Sequence, residues 1–140
     1  MTAPRESLVA RAREWIAHAD DDLTVATLTL TLMEQCPFRL VAYHAQQCAE
    51  KYLKAVLVLH GVDFPRTHNI ARLLALCANH FDWRKELRDA EELTPFAIAS
   101  RYPGDEEPVS ESEARRALDL AQNVRASVRQ ALIGEGITLA

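Results

Sequence analysis

Four polar residues, His44, Gln47, Lys51 and Lys54, recur at steps of three, four and three, the spacing that stacks side chains along one side of a helix. Such a row presents imidazole, amide and ammonium groups in a line, a set suited to an anionic ligand. A turn bearing Arg66, Thr67 and His68 follows, and Arg101 and Tyr102 lie further along the chain. Lysine and arginine pair with phosphate, and histidine and tyrosine rings can stack on a base. Lys51, Lys54, Arg66, His68, Arg101 and Tyr102 are therefore the candidate nucleotide- or phosphate-binding residues. Plainer readings stand beside this one. The row is also what a solvated helix face looks like, with a Glu50–Lys54 pair worth about 0.2–0.5 kcal/mol. His68 also fits a first-turn residue hydrogen-bonded within the protein. Arg101 also fits a partner for Asp105 or another acid, with Tyr102 packed beneath it.

Other chemistry finds less support. Cys36, Cys48 and Cys77 have neither CxxC nor Cys/His spacing suited to zinc. Cys48 and Cys77 fall on apolar helical faces, where a free thiol acts as a small hydrophobe. Asp20, Asp21 and Asp22 are consecutive, so on a helix they fan over about 200° and cannot converge on a metal by themselves. They read as a solvated face. No metal site and no cofactor is expected.

These residues need helices to position them. Leu8, Ala12, Trp15, Ile16, Ala19, Leu23, Ala26 and Leu30 have helical spacing and predict a first helix over residues 5–33. Its Thr-rich part, 24–31, has weak intrinsic helicity and must be held by packing. Pro37 disfavours helix at Cys36, and a second helix is expected over 38–60. Its stripe is Ala42, Ala45, Cys48, Ala49, Tyr52, Leu53, Val56 and Leu57, and Gly61 supplies the stop. Thr67 is a plausible N-cap for a third helix over 68–79. The stretch 82–93 is charged, anchored by Trp83 and Leu87. Thr94 and Pro95 read as N-cap and first-turn proline of a short helix ending near Tyr102. The helix starts near Thr67 and Thr94 would also offer unpaired backbone N–H groups to an anion. After an acidic loop, Ser110 and Glu113 form a capping-box pattern opening a last helix, ended by Gly134.

No segment alternates with a period of two, so no strand is expected. The expected architecture is all-α: an up-and-down antiparallel bundle of four long helices plus one or two short ones. At 140 residues the chain reads as one domain, residues 1–140. The net charge of −4 excludes a general basic field for DNA or RNA, leaving only a local patch for such contacts. The N-terminus lacks an apolar targeting segment, and no run approaches the ~18 apolar residues of a membrane span. A cytoplasmic, reduced location is expected.

Several pieces together resemble the HEPN domain (higher eukaryotes and prokaryotes nucleotide-binding). They are Ala19-x-x-Asp22-Leu23, then AQQCAEKYLKAVLVLHG, then PRTHNIARLL, then SRYPGD before the last helix. The Gln-Gln-x-x-Glu-Lys-x-x-Lys helix followed by Arg66-Thr67-His68 is the most specific of them. The resemblance implies a helical bundle, homodimers, nucleotide- or RNA-related chemistry, and pairing with a small nucleotidyltransferase protein. The high Ala content of the second and last helices also suits close helix approach, within the bundle or across a two-fold axis.

Many HEPN proteins are metal-independent ribonucleases with an Arg-x4–6-His motif towards the C-terminal half. The histidine there serves as general base or acid, and the arginine steadies the phosphorane charge. Here no histidine follows Arg101, since the last one is His80. The formal matches Arg39–His44, Arg13–His18 and Arg11–His18 lie on the first two helices, outside that region. No catalytic residue is assigned. The sequence therefore points to a non-catalytic HEPN protein that binds a nucleotide, a small nucleotidyltransferase partner, or both, in a toxin–antitoxin-like pair. The alternatives are a ribonuclease toxin with a departed active site, using Arg66, His68 and Arg101, and a pure dimeric interaction module.

Overall fold

The computed structural model describes residues 3–83, 85–98 and 108–139. Among these, all regular structure is helical, as the periodicity implies. The helices are α1 (Arg5–Leu30), α2 (Phe38–Leu59), α3 (Ile70–Cys77) and α4 (Glu111–Gly134), with a 3-10 helix (Arg88–Ala97) before α4. No helix among the described residues is long and apolar enough to cross a membrane.

α2 is the centre of the protein. It packs against α1, α3, the 3-10 helix and α4, while α1 and α4 also touch one another. From Val41 to Leu59 most of its residues are buried, polar ones included. A helix that is apolar nearly all round belongs inside, and the run Ala55-Val56-Leu57-Val58-Leu59 leaves no solvent face at that end. α1 lies antiparallel to α2 and buries Ala12, Ile16, Ala19, Asp22 and Ala26 against its neighbours. α4 lies parallel to α2: Ala114 and Leu118 cluster with Val41, while Glu135 reaches His60 at the other end.

The helix ends follow local chemistry. α1 stops short of residue 33. Its last turn tightens, with the Thr31 and Leu32 N–H groups bonding three residues back to Leu28 and Thr29, and Gln35 then turns the chain at φ 53°. α2 ends at Gly61 (φ 67°), where Val62 N–H bonds the Leu57 carbonyl and Gly61 N–H that of Val58, the Schellman pattern. α4 closes the same way two residues beyond the expected Gly134, with the left-handed position at Gly136 (φ 87°). The Ser110–Glu113 capping box is present with both of its reciprocal hydrogen bonds.

Two further boundaries differ from expectation. α3 spans 8 residues and is capped by Asn69, whose side chain accepts from Arg72 N–H; the Thr67 hydroxyl instead accepts from Asn69 N–H. Asn69 lies nearer the first apolar residue, Ile70, and so takes the cap. No helix starts at Thr94. It sits inside the 3-10 helix, with Pro95 one residue on, and its hydroxyl accepts the Ile70 N–H. The backbone donors at the start of α3 are thus partly satisfied by protein groups.

A polar cluster buried along the central helix

The row His44, Gln47, Lys51, Lys54 is not a solvated surface. It runs along the flank of α2 facing α1 and the turn that carries His68, and Gln47 and Lys54 are buried. Its hub is Glu50, only 3% exposed. One Glu50 oxygen, Oε1, accepts from His68 Nδ1 (2.7 Å) and Gln46 Nε2 (3.1 Å). The other, Oε2, accepts from Lys54 Nζ at 2.9 Å. Gln46 Nε2 also donates to the His68 carbonyl (3.1 Å), and Gln47 Nε2 donates to Gln46 Oε1 (2.7 Å). The Lys54 ammonium sits 5.7 Å from both the Trp15 and Phe64 ring centroids, within cation–π range. Burying a carboxylate is costly unless it is paired and hydrogen-bonded, and this one is surrounded by donors.

Of the acidic run on α1 only Asp21 is a solvated residue. Asp22 is buried and holds His44 Nδ1 at 2.8 Å and Lys51 Nζ at 2.5 Å. Asp20 accepts from the Tyr52 hydroxyl and from Arg125 Nε (3.0 Å), with Arg129 3.8 Å from its second oxygen. Asp20 thus links α1, α2 and α4. The fan of three carboxylates still fails to converge, and each side of it meets different cations. Among the described residues no group of three or more His, Cys, Asp or Glu is arranged to hold a metal.

The electrostatics follow from burial. Desolvation pushes the Tyr52 hydroxyl well above the ordinary tyrosine range, and its hydrogen bond to Asp20 adds to this. Arg125 is raised chiefly by its hydrogen bond to Asp20. Burial pushes the Cys48 thiol up to about 12, with Asp20 and Asp22 adding to it, and burial alone does the same for Cys77. Since the thiolate is the reactive species, Cys48 and Cys77 are expected to resist iodoacetamide at neutral pH in the native protein. Half-buried Cys36 should label first, and all three should label in denaturant. Peptide mapping showing native Cys48 modified as fast as Cys36 would refute this. At the far end of α2, His60 and His80 stack 4.3 Å apart. There burial and the neighbouring His60 hold His80 below the ordinary histidine range.

The six candidate residues separate into three groups. Lys51 and Lys54 are engaged by Asp22 and Glu50, within the protein. Arg66 and His68 are exposed in one turn, and the His68 side chain, though 62% exposed, is anchored from behind by Glu50. Arg101 and Tyr102 lie outside the described residues. Of the formal Arg–His matches, Arg13 donates to the Thr138 carbonyl and His44 is held by Asp22. The residues that sequence reasoning missed are the acids Glu50, Asp20 and Asp22. For Glu50 the signal was its place beside the stripe residues Ala49 and Leu53 on a helix whose end, residues 55–59, is apolar all round. For Asp20 and Asp22 it was their place beside the stripe residues Ala19 and Leu23 on α1.

Comparison with known proteins follows the same lines. A family model described as the HEPN domain matches residues 12–131. A Methanocaldococcus jannaschii protein named "Putative toxin MJ1304" is 31% identical over 100 residues, covering 66% of this chain. The match spans 63% of that relative's own length. The crystal structure of TT1696 from Thermus thermophilus is similar, with TM-score 0.74 and 32% identity over 86% of this chain and 98% of that one.

Proposed function

The chain belongs to the HEPN domain family, and from that premise we propose that it is the HEPN member of a toxin–antitoxin-like pair. In this reading it binds a nucleotide or other phosphate-bearing ligand, pairs with a small nucleotidyltransferase protein, and forms a homodimer. It does not cut RNA through an Arg-x4–6-His site. The carrying observation is the corner where exposed Arg66 and His68 share a turn and buried Glu50 fixes the His68 ring. Arginine suits phosphate, and a held imidazole contacts a ligand with little ordering cost. The similarity to a protein named as a toxin supports the pair. The lack of any histidine after Arg101 supports the absence of an Arg-x4–6-His site.

One preparation tests this reading. Nucleotides are expected to bind in a calorimetric screen. Light scattering is expected to give twice the 15.7 kDa chain mass. Single-stranded RNA is expected to remain intact without metal. Loss of a general base or acid typically costs ~10²–10⁴-fold in rate, so cleavage that vanishes in both Arg39→Ala and His44→Ala would overturn the non-catalytic reading. A second reading, a ribonuclease built on Arg66, His68 and Arg101, is favoured by the same Glu50–His68 contact. Cleavage abolished by His68→Ala but not by His44→Ala would select it.

A further inference from the structure

The Glu50–His68 contact fixes more than the position of a ring. An ionised carboxylate only accepts hydrogen bonds, so the Nδ1 that meets Glu50 Oε1 at 2.7 Å carries the hydrogen. In the neutral imidazole the lone pair then resides on Nε2. Nδ1 points back to a carboxylate that is 4% exposed while most of the His68 side chain is exposed, so Nε2 is on the outward side. The carboxylate cannot swing away, because Lys54 holds its other oxygen and Gln46 its first. Gln46 also holds the His68 backbone through its carbonyl. With the ring neutral, the protein therefore presents a fixed acceptor at this corner, two residues from exposed Arg66.

An outward lone pair is selective. It repels the anionic oxygens of a phosphodiester and needs a hydrogen-bond donor opposite it. A nucleotide offers both required groups a short distance apart, ribose hydroxyls to donate and a phosphate to meet a guanidinium. We propose that Glu50 is the positioning residue of a ribose-reading site, in which neutral His68 accepts a hydrogen bond from a ribose hydroxyl while the phosphate faces Arg66. The site would thus prefer ribonucleotides over nucleotides lacking the ribose hydroxyls. This rests on the proposed nucleotide binding and adds which part of the nucleotide His68 reads.

The test uses the full-length protein and three probes: AMP, its 2′,3′-dideoxy analogue and inorganic phosphate. A neutral hydrogen bond is worth about 0.5–1.5 kcal/mol net, so the dideoxy analogue should bind roughly 3–10-fold more weakly than AMP. His68→Phe keeps a ring and leaves Glu50 with Gln46 and Lys54. It should bring AMP down to the dideoxy level while leaving dideoxy binding unchanged. Glu50→Gln should erode the same preference by releasing the tautomer. Nitrogen NMR of the neutral His68 ring should show the proton on Nδ1. A proton on Nε2, or equal binding of AMP and its dideoxy analogue, would overturn the ribose-reading site while leaving nucleotide binding intact. Binding of none of the three probes would overturn the nucleotide reading itself, and this site with it.

Discussion

Glu50→Ala is expected to lower the stability of the fold by about 3–5 kcal/mol, the largest effect of any single substitution in the polar cluster. The carboxylate itself would vanish cleanly, but Lys54 would not. Its ammonium is buried between Trp15, Phe64 and α2, with a side chain only 10% exposed, and without Glu50 it loses its carboxylate partner. Most of the penalty comes from that stranded charge rather than from a lost attraction. For a chain of this size the unfolding midpoint should fall by roughly 10–20 °C. The double variant Glu50→Leu with Lys54→Met removes both charges and should lie nearer the natural protein than Glu50→Ala does, since paired removal of a buried ion pair is often close to neutral. Urea titration placing Glu50→Ala within about 1 kcal/mol of the natural protein would show that Lys54 finds water, and that the cluster is not closed.

Asp20→Ala follows, with an expected loss of about 2–3 kcal/mol. Asp20 accepts the Tyr52 hydroxyl, which lies in a fully buried residue, and joins it to Arg125 on α4. Removing the carboxylate leaves a phenol inside the protein without its acceptor and frees one tie between α1 and α4. Tyr52→Phe deletes only the hydroxyl, and Asp20 keeps Arg125, so about 1 kcal/mol is expected. In the double variant the costs should not add, because a phenylalanine ring at that position no longer needs an acceptor. Asp20→Ala no more damaging than Tyr52→Phe would mean that Arg125 and Arg129 contribute nothing through this carboxylate.

Helical periodicity made the fold legible because every long element carries its apolar stripe in sequence. The Ser110–Glu113 box and Gly61 also marked their helix ends by residue type alone. Short-range competition was less legible. Asn69 and Thr67 are both good caps, and only the position of Ile70 in the bundle decides between them. Thr94-Pro95 reads as a helix start until Thr94 is seen bonding Ile70 N–H across 24 residues. At the candidate site the residue types were visible but their surroundings were not. A Lys–Gln–His row looks the same in sequence whether it faces water or α1. Asp20 and Asp22 find their partners 22 to 105 residues away, a distance that no local pattern encodes.

The paired acids on α1 also solve an alignment problem. Ala12, Ala19 and Ala26 are buried at seven-residue intervals, and α2 offers Ala42, Ala45 and Ala49 to the same interior. Slid along α2 by one turn, about 5.4 Å, these alanines would meet similar small methyl groups, and only the larger Ile16 on α1 and Tyr52 and Leu53 on α2 would register the change by apolar contact. Asp22 meets His44 and Lys51, and Asp20 meets Tyr52, in one register only. A slide of one turn would part Asp22 from His44 and Lys51, and Asp20 from Tyr52. The ionic contacts act as an index mark along the small-residue stretch, and buried charge is best attested in this role of selecting among near-equivalent packings.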